Sequence, residues 1–410
     1  MTPEIKTRIE QIRRGEVPVG YKKTKTDIVP NDWKEVLLAD CICEYSKKTT
    51  IPNQYPVLTS ARKGLMLQKE YFTNRQVTTE DNVGYNILPY GYITFRSRSD
   101  DGKFVFNVNK IIERGIISYF YPVFSFGENV SRDFMLETLN HTIYKRMFPL
   151  VEGTAQQVLS LNKLGKLYYN VPTIAEQQKI AAILTDQDKI IELKENLLTE
   201  KQRQKKYLMQ QLLTGRKRLS GFNSVWTSKK LGDICCYLSK HGYGRADTYV
   251  STENMRPNFE GKVLFNSENK DMGEIDGIIY APDDILIGNI RPYLKKVWKA
   301  NTQGVCSPDV LVLHPTTVLS NFLYCLISND DFFTYVMTGV KGSKMPRGDK
   351  NHIMNMDVLL PSAKEQCAIT DVEHLITREL DLLRQDIEQE KQKKKALMQL
   401  LLTGIVRVNI

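Results

Sequence analysis

Long apolar runs are missing from this 410-residue chain. No stretch of about 18 apolar residues occurs, which argues against a membrane-spanning helix. Histidine is scarce, with five scattered copies. Cys41-x-Cys43 and Cys235-Cys236 each lack the second pair that a structural zinc site requires, and read as half-buried strand cysteines. Seven cysteines, an odd number, are read as reduced thiols. The opening MTPEIKTRIEQIRRG is charged throughout and has no apolar core, so no secretory signal and a soluble, cytoplasmic protein are expected. Neither sign of charge is lacking: 57 Lys+Arg against 47 Asp+Glu leave +10. That is a mild bias toward a polyanionic partner. With 41% hydrophobic and 25% charged residues, disorder and collagen are excluded. The length suits about two or three domains.

Catalytic signatures are also scarce. Gly242-Tyr-Gly244 has neither the preceding apolar strand nor the third glycine of a cofactor loop, and reads as a surface turn. Asn289-Ile-Arg-Pro-Tyr293 superficially resembles the Asn-Pro-Pro-aromatic motif of amino-group methyltransferases. An Ile stands at its first proline position and an extra Arg intervenes, so a strand-end turn is the better reading. Pro308-Asp309 has no Glu-x-Lys behind it and Asp283-Asp284 reads as a turn, so a metal-dependent nuclease is not supported. No Gly-x-x-x-x-Gly-Lys-Ser/Thr loop occurs.

What the chain does have is a repeat. LMQQLLTG at 208–215 returns as LMQLLLTG at 397–404. The same shift, 189 positions, carries Pro172, Glu176, Gln177 and Ile180 onto Pro361, Glu365, Gln366 and Ile369. It carries Lys205-Lys206 onto Lys394-Lys395 and Gly153-Thr154 onto Gly342-Ser343. At a slightly different offset, Trp33, Leu38 and Asp40 match Trp226, Leu231 and Asp233. The stretches between these anchors share little. The period is far beyond a solenoid repeat, so the chain reads as a duplicated two-part unit with divergent inserts.

The spacing predicts a long helix over 174–213, with Thr173 as cap and Gly215 as stop. Its stripe is read as Ile183, Ile190 and Leu197, continued by Leu208. In the second copy the stripe is Ile376, Leu380, Leu383 and Ile387, resumed by Leu397 and Leu401. This is coiled-coil-like spacing, and two related helices in one chain are expected to pair antiparallel, with the variable domains at opposite ends. Gln187 and Lys194 stand where the second helix has Ile376 and Leu383, so the stripe is asymmetric. The variable regions read as α+β. Strands are expected in YNILPYGYITFRS, DGIIYAPDDILIGNIRP and 117–126, and helices over 131–147, 321–337 and 3–14.

Polar and basic loops are the candidate nucleic-acid contacts. The first variable region offers Ser60, Arg62 and Lys63, then Arg96, Arg98 and Lys103 after a strand. The second offers Asn289, Arg291, Tyr293, Lys295 and Lys296 at a comparable place, with Lys344 and Arg347 in a further loop. Arginine can bind guanine edges bidentately, and the hydroxyl and amide side chains suit bases or phosphates. The cations of 201–218 and 391–395 read as a solvated helix face or as phosphate contacts.

The duplicated Pro-x-x-x-Glu-Gln and LLTG motifs, with the Trp–Leu–x–Asp openings, resemble the specificity (S) subunits of type I restriction–modification systems over essentially the whole chain. The resemblance implies an α+β chain of two target-recognition domains separated by two long antiparallel helices, related by a pseudo-twofold repeat. The segments would be 1–30 (N-terminal helix and lead-in), 31–171 (first recognition domain), 172–216 (central conserved helix), 217–360 (second recognition domain) and 361–410 (C-terminal conserved helix). It further implies a non-catalytic subunit in which each domain reads half of a bipartite site in double-stranded DNA. The helices would fix the spacer and dock two methyltransferase subunits, and two restriction subunits would join for cleavage. The chain itself would hold no metal or cofactor; S-adenosylmethionine and Mg/ATP would belong to the partner subunits. A silent specificity subunit without partners, or a very diverged DNA methyltransferase, is the alternative.

Overall fold

The computed structural model describes residues 2–72, 81–151, 156–265 and 273–409. Gly153-Thr154 of the repeat lies outside them. The chain divides into two compact units, Met1–Leu193 with Ile387–Ile410, and Lys194–Asp386. The division falls inside two long helices, Ile174–Leu213 and Ala363–Leu401.

The first unit is built on a four-stranded antiparallel sheet. Its order is Phe106–Val108, Ile93–Phe95, Val123–Phe126, Ile42–Glu44. Phe95, Phe106 and Phe124 are buried on one face and make tilted and edge-on ring contacts. Against them pack Phe134, Met135 and Leu139 of the helix Arg132–His141. Ile180, Leu184, Leu401 and Leu402 join the same core. The second unit has a four-stranded sheet of matching topology: Val297–Lys299, Ile285–Gly288, Val310–Pro315, Cys235–Leu238. Phe322, Leu323, Phe332 and Phe333 cover it, with Met209, Leu212 and Ile369 from the long helices.

Each unit also contains the same junction, which explains the repeated anchors. In the first unit, Glu176 lies fully buried in the opening turn of its helix. The Arg407 guanidinium clamps it, Nε to Oε1 at 2.6 Å and Nη2 to Oε2 at 2.7 Å. In the second, Arg218 clamps the buried Glu365 at 2.6 and 2.7 Å. Both arginines stand three residues beyond the LLTG glycine. That glycine takes positive φ (67° at Gly215, 71° at Gly404) and ends its helix. A Cβ at Gly404 would lie 2.6 Å from Pro30 and 3.1 Å from Trp33, so only glycine allows this approach. Trp226 packs on Gly215 in the same way. The next motif residue is a tether. Gln177 accepts from the Ser131 amide at 2.7 Å and donates to the Pro172 carbonyl. Gln366 accepts from the Leu319 amide and donates to the Pro361 carbonyl. Each glutamine thus ties a long helix to the start of the helix covering its sheet.

Within each unit the helix segments run antiparallel. In the first, Glu176 meets Arg407 and Gln187 donates to Glu390. In the second, Lys194 pairs with Asp386, Lys201 with Glu379 and Lys205 with Glu373. The sheltered stripe of the first long helix is Ile180, Leu184, Gln187, Ile191, Lys194, Leu198, Lys201, Lys205, Leu208 and Leu212. This corrects the expected stripe. Ile190 and Leu197 face solvent, 38% and 47% exposed, and Ile183 is half-buried beside the core. The period was right and the phase was one residue off, because four stripe positions hold Gln or Lys bonded to acids. On the second helix, Leu380, Ile387 and Leu401 are buried, and Ile376, Leu383 and Leu397 half-buried.

Other expected elements divide. The stretch 117–126 is split at Ser118–Pro122 between strands Arg114–Ile117 and Val123–Phe126. The helix expected over 131–147 is Arg132–His141 followed by a separate turn, Tyr144–Met147. The one over 321–337 is two, Ser320–Ile327 and Asp330–Thr338, because Asn329 leaves the helix to cap Phe332. The N-terminal helix spans Pro3–Arg13.

Candidate nucleic-acid interface

In the first unit, Leu58–Ala61 and Gly64–Leu67 form a hairpin with Arg62-Lys63 at its turn. Gly64 sits at φ 127°, a backbone that side chains rarely adopt. Arg96 and Arg98 leave the end of the sheet strand Ile93–Phe95. These elements enclose a cleft of about 1210 Å³ whose lining includes Ser60, Arg62, Lys63, Arg96, Arg98 and Lys103. All six residues expected there from the sequence share this one surface. Tyr71, Phe72, Tyr85, Tyr119, Phe120 and Tyr121 also line it, and sequence reasoning missed them. Their only signal was the aromatic run Tyr119–Tyr121, which reads equally well as a strand.

The cations differ in their freedom. Arg62 pairs with Asp101 at 2.6 Å. Asp101 also accepts from Ser99 and the Lys103 amide. The Arg98 guanidinium lies 4.1 Å from the Phe120 ring centroid, a cation–π contact that aims it without neutralising it. Ser60 accepts from Asn107, which fixes the hairpin. Burial pushes the Tyr121 hydroxyl above its usual pKa, so it stays a neutral donor. Lys63, Arg96, Arg98 and Lys103 are exposed, and the ion pairs found among the described residues engage none of them. Charges held this way are available to phosphates and base edges.

In the second unit, the equivalent sheet strand Ile285–Gly288 runs into Asn289–Lys296. Arg291 and Lys295 both have left-handed backbones, φ 51° and 53°, around the short turn Pro292–Leu294. The Arg291 amide donates to the Pro346 carbonyl at 2.8 Å, and Ile290 bridges Arg347, so this loop and the 341–348 loop brace each other. The expected contacts here separate by geometry. Arg291, Tyr293 and Lys344 are exposed. Lys295 is bonded to Asp330, and Arg347 to Asp309 at 3.0 Å. Lys296 donates to the Thr252 carbonyl, and burial pushes its pKa below the ordinary lysine value. Asn289 is a correction: it is 9% exposed, with its backbone bonded to Asp309 and Gly348, so it supports the loop and does not face a ligand.

The helix cations are mostly occupied. Lys201, Lys205, Lys206, Arg203 and Arg218 each pair with an acid. Lys393 and Lys394 do the same. This favours a structural role for the sheltered Lys201, Lys205, Arg218 and Lys394, while Arg203, Lys206 and Lys393 stay largely exposed. No group of three or more metal-ligating side chains is found among the described residues. No described helix is long and apolar enough to cross a membrane.

Residues 30–201 match the family model of the type I restriction modification DNA specificity domain. A Methanocaldococcus jannaschii chain named as a type I restriction enzyme (MjaX) specificity subunit is 24% identical over 448 residues, covering 95% of this chain and 97% of that one. Among solved structures, the type I restriction-modification S subunit from M. genitalium aligns with TM-score 0.51 and 14% identity, over 95% of this chain and 98% of its own. A chain from a study of complex assembly and conformational transition of the type I R-M system aligns with TM-score 0.58 and 14% identity, over 92% and 99%. The duplicated motifs, the specificity-domain match over residues 30–201 and the full-length likeness make this chain similar to the specificity subunits of type I restriction–modification systems.

Proposed function

We propose that the chain is the non-catalytic DNA-recognition and scaffold subunit of a type I restriction–modification complex, with each unit reading one half of a bipartite site. The observation that carries this reading is the placement of free cations. Arg96 and Arg98 follow one sheet strand, and Arg291 follows the strand at the equivalent position of the other unit's sheet. Phosphate contacts from Lys63, Lys103 and Lys344 would set position, and the arginines would read base edges. The paired helices would fix the unread spacer. Two methyltransferase subunits docked on the repeat would bring S-adenosylmethionine and the adenine chemistry. Two restriction subunits would add Mg/ATP-dependent cleavage. The segmentation 31–171 and 217–360 for the recognition domains, with 172–216 and 361–410 as helical regions, belongs to this proposal.

The test is modification-sensitive sequencing of native DNA from cells with and without the gene. The expected result is a methylated-adenine motif of two short half-sites around a fixed gap, lost on deletion. No difference would indicate a silent subunit. In the complex, Arg96→Glu with Arg98→Glu should relax one half-site, and Arg291→Glu the other. Equal damage to both halves by either change would overturn the two-reader assignment.

A further inference from the structure

The 341–348 loop of the second unit combines a braced base with an exposed apolar side chain beside exposed cations. Its base is rigid. Lys341 and Arg347 exchange both backbone hydrogen bonds at 2.9 Å, closing a loop of five residues. Arg347 is anchored to Asp309, and Lys341 to Asp349, whose carboxyl the Lys341 ammonium and the His352 and Asn351 amides hold down at about 2. Pro346 is held from outside by the Arg291 amide. Its tip, by contrast, is apolar and open: Met345 is 49% exposed, between the exposed cation Lys344 and the half-buried Pro346. The loop is pinned at its base and carries the exposed Met beside the exposed cations Lys344 and Arg291, the latter joined to the tip through its amide bond to Pro346.

A cationic rim that grips phosphates around a projecting Met-Pro tip is the composition with which proteins wedge a base step apart. We infer that Met345 inserts into the DNA of the second unit's half-site, partly unstacking one base step, while Lys344 and Arg291 hold the flanking backbone. Recognition there then depends on how easily that step deforms as well as on hydrogen bonds to bases. The inference rests on the proposed reading of the second unit as a DNA reader.

The experiment uses the full chain assembled with its methyltransferase subunits. The probe is a duplex carrying the methylated motif mapped in the cell, with 2-aminopurine placed singly along each half-site. The expected result is a fluorescence rise on binding at one step of a single half-site, separate from any rise at the target adenines that the methyltransferase subunits extrude. That rise should be lost in Met345→Gln and kept in Met345→Leu, which preserves an apolar wedge. Affinity in Met345→Gln should fall about tenfold, the ratio expected when burial of most of a Met side chain is forfeited. Lys344→Gln should weaken binding and reduce its salt dependence while the rise at the wedged step persists. Specific binding with no rise other than at the target adenines overturns the wedge and leaves the DNA-reading proposal standing. Absence of specific binding by the wild-type complex overturns both. Loss of the methyltransferase subunits from Met345→Gln, with no effect on stacking, assigns the tip to a protein partner and overturns the wedge.

Discussion

Replacing Arg407 by Met tests the junction on which the first unit closes. Glu176 has no solvent exposure, and both its oxygens are held by Arg407. Deleting the guanidinium strands a carboxylate in the interior, which costs about 3–5 kcal/mol for a buried pair broken on one side. The Arg407 side chain is itself 35% exposed, which places the expected loss near the lower end, about 3 kcal/mol. Its second partner, Asp32, is 51% exposed, and that pair contributes at most about 1 kcal/mol. The double variant Arg407→Met with Glu176→Gln removes the stranded charge and should lose only about 1 kcal/mol. Hydrogen exchange of the opening turn of the Ile174–Leu213 helix reads this locally. Protection there should fall about a hundredfold in the single variant and much less in the double. If the single variant is no worse than the double, the buried carboxylate is not what Arg407 serves, and the reasoning fails.

Three further outcomes follow from the same geometry. Leu184→Ala and Leu380→Ala should each cost about 2–5 kcal/mol in urea unfolding, and Ile190→Ala and Leu197→Ala under about 1; the reverse order would restore the stripe expected from sequence. At neutral pH a thiol reagent should modify Cys43, Cys236 and Cys367, which are exposed, and leave Cys41, Cys235, Cys306 and Cys325 unreacted in the native chain; rapid modification of all seven would contradict the burial assigned to the sheets. Burial pushes Cys235 and Cys306 from 9.0, and Tyr324 from 10.0, up to about 12. These pKa values lie above the unfolded ones, so their stabilisation is complete below about pH 9 and is lost as pH rises toward 12. Alkaline unfolding monitored by circular dichroism should therefore begin in that window, and a flat stability to pH 11.5 would refute it.

The sequence by itself determined the repeat, the length and ends of the first long helix and the second helix's apolar stripe. It also placed the basic loops after equivalent strands. Those features are local or periodic: glycine stops, caps and heptad spacing act within a few residues of each other, so they are visible in one dimension. It did not reveal that Trp33, Gly404, Arg407 and Glu176 form one junction, although each was visible as an anchor or stood near one. Their partners lie far away in the chain, and only packing decides which arginine meets which acid. The phase of the first helix was hidden for a related reason. Its stripe runs through Gln187, Lys194, Lys201 and Lys205, residues that hydropathy assigns to solvent and that acids on the second helix shelter. Tertiary structure also sorted the candidate contacts. Asn289, Lys295 and Arg291 lie within seven residues and look equally suited to DNA in sequence. In the fold the first is buried and the second is bonded to an acid. Arg291 alone of the three is exposed, and the bond from its amide to the Pro346 carbonyl holds the chain there against the neighbouring loop.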